Sequence, residues 1–239
     1  MSATSFPLFP SDSVVLLSAA RLGRRSPMRL FARGDVASLE RPAITIVGTR
    51  AASEQGLAHA AEIAASCARA GFVVVSGLAL GVDVAAHRAA LSAGGRTVAV
   101  LGTPLDRSYP AAHASLQWRI AREHLVVSPF AIGSPVTRGN FPQRDRVMAA
   151  LAVAVVVIEA PDGSGTLHTV REAVRLGRPV LLAPPVLAAR PAWVAALGPA
   201  GHLESRGFHA VTCSEDAVTF AERIVAPSRK GLLPDEGSH

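Results

Sequence analysis

Cysteine, lysine and aromatic residues are all scarce in this chain, and each shortage narrows what it can do. Only two cysteines occur among 239 residues. Cys67 and Cys213 lie far apart, outside any Cys-x-x-Cys or Cys/His cluster, so buried thiols are expected rather than a redox or metal site. Aromatic residues make up 5% of the chain, too few for a rich stacking platform, although one exposed ring per site suffices to stack a base. Trp118 and Trp193 fall inside helical patterns and are expected in the core, whereas Tyr109 sits in a proline-bounded loop. No uninterrupted apolar run of about 18 residues appears, so no transmembrane helix is expected. The polar, proline-bearing N-terminus does not have the form of a signal peptide, and the expected location is cytoplasmic. Two nucleotide signatures are missing as well. Gly48-Thr49-Arg50 does not continue into Gly-x-Gly-x-x-Gly, and there is no Gly-x-x-x-x-Gly-Lys-Ser/Thr loop, which argues against an ordinary NAD enzyme and a P-loop ATPase.

What is present suits one large α/β domain: 49% of residues are apolar and 18% charged. The net charge of +6 is carried almost wholly by arginine, since Lys230 is the only lysine, and the pI is about 10.8. A polyanionic partner fits that balance, with the placement of the arginines deciding the matter.

From Ala43 the pattern alternates between apolar strands and alanine-rich helices. Strands are read at 44–47, 72–75, 97–101, 125–128, 153–159, 179–183 and 210–212. Helices are read at 55–69, 82–93, 111–122, 143–152, 166–176, 192–206 and 214–225. Strands apolar throughout are buried on both faces, and strict alternation with helices gives parallel pairing. The expected fold is α/β: a doubly wound, mostly parallel Rossmann-like sheet with helices on both faces. Residues 1–40, with a short helical pattern at 14–20 and a short strand and turn at 30–35, are read as an N-terminal cap segment, 41–226 as the Rossmann-like domain, and 227–239 as a flexible tail.

Ligands of such sheets sit beyond the carboxyl ends of the strands. Here those ends are Gly48-Thr49-Arg50, Ser76-Gly77, Gly102 to Asp106, Ser128-Pro129, and Asp162-Gly163-Ser164-Gly165-Thr166. Backbone amides, small hydroxyls and an arginine together make a phosphate-binding wall. The loop Phe141-Pro142-Gln143-Arg144-Asp145-Arg146 adds two arginines where a helix is expected to begin, an unfavourable place for cations unless an anion neutralises them. Asp83 and His87, four apart on one helix, are read as helix-start and packing residues rather than a catalytic pair.

These residues occur in an ordered series: Leu30-Phe-x-Arg-Gly-Asp35, Ile46-Val-Gly-Thr-Arg50, Ser76-Gly-Leu-Ala-x-Gly-Val-Asp-x-x-Ala-His87, Val98-Ala-Val-Leu-Gly-Thr-Pro-Leu-Asp-x-x-Tyr-Pro110, Phe141-Pro-x-Arg-Asp-Arg146, Ser164-Gly-Thr-x-x-Thr169 and Gly177-Arg-Pro-Val180. The series resembles the DprA/Smf family of DNA-processing proteins. That resemblance implies a non-catalytic, homodimeric protein that binds single-stranded DNA in a basic pocket and helps load the RecA recombinase in natural transformation. No cofactor, metal or membrane association is expected. Its strand-binding candidates, together with the neighbouring turn residues read above, are Gly48, Thr49, Arg50, Ser76, Gly77, Arg144, Arg146, Ser164, Gly165, Thr166 and Thr169. Three positions depart from the family pattern: Asp145 stands where the family usually has asparagine, Pro129 follows Ser128, and His113 follows the Tyr-Pro motif. The length also leaves no room for a C-terminal winged-helix domain. The alternative is a LOG-type nucleoside-monophosphate phosphoribohydrolase or a nucleotide-sensing module of the same fold. The hydrolase's catalytic glutamate position is Thr169 here, so Glu172, one turn later, would have to replace it.

Overall fold

A computed structural model describes residues 4–5, 12–23, 27–198 and 203–226. The expected tail at 227–239 lies outside these residues. Among the described residues nine strands form one sheet: β2 (Asp12–Leu17), β3 (Met28–Gly34), β4 (Ala43–Val47), β5 (Val73–Ser76), β6 (Thr97–Val100), β8 (Leu125–Ser128), β9 (Ala154–Val157), β10 (Val180–Leu182) and β11 (Phe208–Ala210). Their order is β11-β10-β9-β4-β5-β6-β8-β3-β2. Every pairing from β11 to β8 is parallel, whereas β3 and β2 add antiparallel strands at one edge. A separate two-stranded ladder joins β1 (Thr4–Ser5) to β7 (Arg107–Ser108).

The helices cover both faces. On one lie α2 (Glu54–Arg69), α3 (Val82–Ser92), α4 (Ala114–Glu123) and α9 (Ser214–Val225). On the other lie α1 (Ala19–Leu22), α5 (Asn140–Leu151) and α6 (Thr166–Arg175), with the short α7 (Pro184–Ala189) and α8 (Ala192–Ala195) beside them. Alternate strand residues divide between the two cores. Val73, Val75, Val155 and Val157 pack toward α5 and α6, while Val74 and Val156 pack toward α2 and α3. This two-sided burial is why the strands read as continuous apolar runs.

The N-terminal region differs from its sequence reading. The stretch around Val14 is a strand, and β2 and β3 extend the main sheet rather than capping it. Val14 and Leu16 remain 56% and 66% exposed at the open edge, which left an apolar pattern that a helix would also satisfy. Between 192 and 206 only α8 and a single 3₁₀ turn at Glu204–Arg206 are helical among the described residues. Cys67 is buried, and desolvation pushes its thiol up to about 12, but Cys213 is exposed ahead of α9, contrary to the expectation of two buried thiols.

Strand order reverses between β4 and β9: from β4 the chain builds outward to β5, β6 and β8, then returns to place β9 on the other side. In such sheets the crevice at this reversal is where ligands are held. Loop chemistry shapes it. Ser53 caps α2, accepting the Gly56 amide at 2.9 Å, and Glu159 beyond β9 clasps the same loop by accepting the Ser53 amide at 3.0 Å. A side chain at position 56 would collide with the Glu159 carboxylate, which accounts for glycine inside the first turn of a helix.

Candidate functional site

A cleft of about 540 Å³ opens at the reversal point, roomy enough for a nucleotide-sized group. One wall is the β4 end, Val47 to Arg50. The opposite wall is Pro161 to Thr169, the turn after β9 and the first residues of α6, and α5 closes the floor with Phe141, Arg144, Asp145 and Met148. Ser164 Oγ accepts the Thr166 amide at 3.2 Å just ahead of α6, and the first residues of α6 line the cleft, where a helix N-terminus favours an anion.

Arg144 is the most constrained cation in this arrangement. Its side chain is 7% exposed, with Nη1 3.6 Å from Asp83 Oδ2 and Nε 3.0 Å from Asp145 Oδ1. The second approach is an ion pair without hydrogen-bond alignment, and Nε is left with no aligned acceptor. Nη1 lies over Gly77 so closely that a Cβ there would overlap it, which is the physical demand for glycine at that position. The Phe141 ring sits beneath two guanidinium groups, 5.5 Å from Arg50 Cζ and 6.0 Å from Arg144 Cζ, within cation–π range. Phe141 also packs on Gly102 and stands 5.7 Å from the Tyr109 ring.

Burial moves the acids. Desolvation pushes Asp83 up from its ordinary value against the pull of Arg144 and the Ala79 amide, whose N–H donates to Oδ2 at 3.2 Å. Desolvation pushes Asp145 up to about 6; Arg144 opposes it and the Asp83 charge adds to it.

Of the residues expected from sequence, Gly48, Thr49, Arg50, Arg144, Ser164, Gly165, Thr166 and Thr169 come together in the cleft, and Gly77 lines the small hollow that joins it. Two do not. Ser76 is fully buried and donates its hydroxyl to the Ile46 carbonyl at 2.7 Å, tying β5 to β4. Arg146 points to α6, where Nε and Nη2 each lie 3.2 Å from a Glu172 oxygen. Helix α5 begins at Asn140, so neither arginine stands in its first turn, and both are neutralised by protein carboxylates. Ser128 likewise serves the framework, donating to the Thr103 carbonyl at 2.6 Å.

Asp83 stands in the first turn of α3, as read from sequence, and in addition lines the cleft and faces Arg144, which the sequence reading did not place there. His87 does pack in the core, with Nδ1 2.7 Å from the Thr97 hydroxyl, and burial drives its imidazole down to about 3. Sequence reasoning missed Arg138, Phe141 and His168 as lining residues. Their only signal was adjacency to the strand-end motifs.

Glu172, which the hydrolase alternative requires, is absent from the cleft lining and ion-pairs with both Arg146 and Arg175. Burial raises its pKa, but hydrogen bonds from these two arginines outweigh that and hold it below the ordinary value. A carboxylate so engaged is poorly placed as a nucleophile or general base.

The chain is similar to known proteins in both sequence and fold. The chain is 41% identical over 175 residues to Protein Smf of Synechocystis, covering 73% of this chain and 42% of that one. It is 43% identical over 159 residues to the DNA processing protein DprA of Streptococcus pneumoniae, covering 66% of this chain and 56% of the relative. The chain thus spans about half the length of the curated relatives it matches. The solved structure of the S. pneumoniae protein superposes with a TM-score of 0.74 at 34% identity, covering 87% of this chain and 74% of that one. DNA processing protein A of Helicobacter pylori, solved for its single-stranded DNA binding mode, gives 0.76 at 26% identity, covering 89% and 96%. The family model for DNA recombination-mediator protein A matches residues 9–200. On this match the chain belongs to the DNA recombination-mediator protein A family, the DprA/Smf DNA-processing proteins.

Proposed function

We propose that this chain is a non-catalytic DNA-processing protein that holds single-stranded DNA in the cleft between the β4 and β9 ends. The observation that carries the reading is Arg144: a guanidinium less than a tenth exposed that lines the cleft, with its buried Nε lacking an aligned acceptor. A buried, incompletely satisfied arginine beside a helix N-terminus is suited to a phosphate oxygen. Arg50 and Arg138 on the rim extend the positive surface, and Phe141 supplies an apolar ring on the same floor. The H. pylori relative's single-stranded DNA binding supports a strand over a mononucleotide as ligand. We extend the reading to a cytoplasmic homodimer that aids recombinase loading during natural transformation.

Anisotropy of a labelled oligothymidine titrated with the chain at several salt concentrations tests the reading. Affinity should fall steeply with salt, with log K against log [salt] sloping by about −0.7 per phosphate contacted, and should depend little on base sequence. Salt-independent binding, or tight binding of mononucleotides with none of oligonucleotides, would overturn it.

A further inference from the structure

The buried charge at the floor of the cleft does not by itself suit an anion. Arg144 lies between two carboxylates, Asp83 from α3 at 3.6 Å and Asp145 from its own helix at 3.0 Å, and all three side chains are less than a tenth exposed. One guanidinium and two ionised carboxylates sum to −1. A phosphate reaching this floor meets repulsion that solvent barely screens. The other groups that face Asp145 are Arg50, from the loop after β4, and His168, from α6. Both are exposed, as is Arg138 on the outer wall, so water weakens their help. The neighbouring Arg146–Glu172 pair is turned toward α6 and leaves the balance unchanged.

The two acids are not equivalent. Asp83 accepts the Ala79 amide, a bond that favours its ionised form. The Asp145 carboxylate accepts no hydrogen bond among the described residues, and even its close contact with Arg144 Nε is out of alignment. Burial raises both carboxyls, but only the Asp145 carboxylate is without an aligned donor, so its protonated form is free to turn an O–H toward a ligand, and burial holds that carboxyl at about 6.

We propose that Asp145 sets the strength and the pH dependence of strand binding: ionised, it occupies Arg144 and repels phosphate; protonated, it frees the guanidinium and donates its own O–H to a phosphate oxygen. Binding then takes up one proton from solvent, which comes to rest on an Asp145 carboxylate oxygen, and no other bond is made or broken. This inference rests on the strand-binding reading above.

The test measures affinity for an oligothymidine from pH 5 to 8 at fixed ionic strength, using the full chain and three variants: Asp145→Asn, Asp83→Asn and His168→Gln. Phosphodiesters keep their charge over this range. Wild type should tighten as pH falls, by up to about tenfold per pH unit while one proton is being taken up. D145N should bind at pH 8 about as tightly as wild type does near pH 5, with the slope gone, while D83N and H168Q keep it. Calorimetry of wild type in two buffers of different ionisation enthalpy should show proton uptake near neutral pH, a readout that needs no variant to fold, and zero uptake overturns the proposal. A slope that survives D145N, or vanishes instead in H168Q or D83N, overturns the role of Asp145 and leaves strand binding standing. Sulfate, doubly charged throughout, is the second probe. Sulfate binding that tightens in D145N, with no strand bound by either form, removes the strand reading and retains the proton linkage. Failure of D145N to gain affinity for either probe overturns the linkage.

Discussion

On its cleft side α5 carries Arg144, 7% exposed, lying over a glycine and between two acids; on the side packed against α6 it carries Arg146, 34% exposed and joined through two nitrogens to Glu172. Two residues apart on a helix means about 200° around its axis, so the same short motif must serve opposite faces. The difference lies in how each charge is met. Both oxygens of Glu172 face the Arg146 fork, and the pair is complete without a ligand. The acids around Arg144 approach it without aligning, so its buried Nε has no aligned acceptor while Asp145 keeps its charge beside it. A basic motif on a helix thus divides into one arginine for the ligand and one for the fold, and geometry rather than charge decides which is which.

The largest effect should come from removing the cleft arginine. Arg144→Ala leaves Asp83 and Asp145 buried with no cation between them, and breaking a buried pair in this way costs about 3–5 kcal/mol at neutral pH. The cost should shrink in acid. Asp145 titrates near 6 when folded, above its ordinary 3.8, so between about pH 4 and 6 the folded chain holds more protons than the unfolded one. Wild-type stability from this group therefore falls as pH rises through that window, and without Arg144 it should fall further. Urea denaturation of both proteins at pH 5 and 7.5 checks this, and an equal loss at both pH values would remove the distinction drawn for this face of α5.

The parallel part of the sheet was legible because β9 is apolar at every position and β5 at all but its last, Ser76, a pattern that burial on both faces explains. Strand ends bearing Gly48-Thr49-Arg50 and Ser164-Gly165-Thr166 were legible as a site because the fold places them on the same side of the sheet. Strand β2 was not, since an edge strand half open to water carries no two-sided signal. The helix-start role of Asp83 was legible, but its contact with Arg144 was not, because that residue arrives on another helix much later in the chain. Nor could helical periodicity separate Arg144 from Arg146 once the expected start of α5 fell at 143 instead of 140.

Gly77 sharpens the comparison at the next level of effect. In Gly77→Ala the new methyl would overlap Arg144 Nη1, so the guanidinium must leave its position at a cost of about 1–3 kcal/mol. Strand affinity should fall with it, about tenfold, whereas Gly165→Ala, where a Cβ meets nothing within 4 Å, should leave stability within about 0.5 kcal/mol. Thermal denaturation and anisotropy on the two variants separate a glycine that seats the cation from one that merely shapes a turn. Arg50→Ala follows. This residue is exposed and stacked over Phe141, so its loss should spare stability while reducing the salt slope of binding by about 0.7.

The smallest effect belongs to the α6 side, and it is the one that most directly tests the division of labour. Arg146→Ala opens a half-exposed ion pair and should cost about 0.5–1 kcal/mol, a value typical of such pairs. Glu172 keeps Arg175 at 2.9 Å, so no carboxylate is stranded and the loss stays small. Affinity for oligothymidine should then match wild type at every salt concentration, because a guanidinium already held by both oxygens of Glu172 has no donor pair to spare for phosphate. A fall in the salt slope like that of Arg50→Ala would mean that Glu172 releases Arg146 when a strand arrives, and both faces of α5 would then belong to the binding surface.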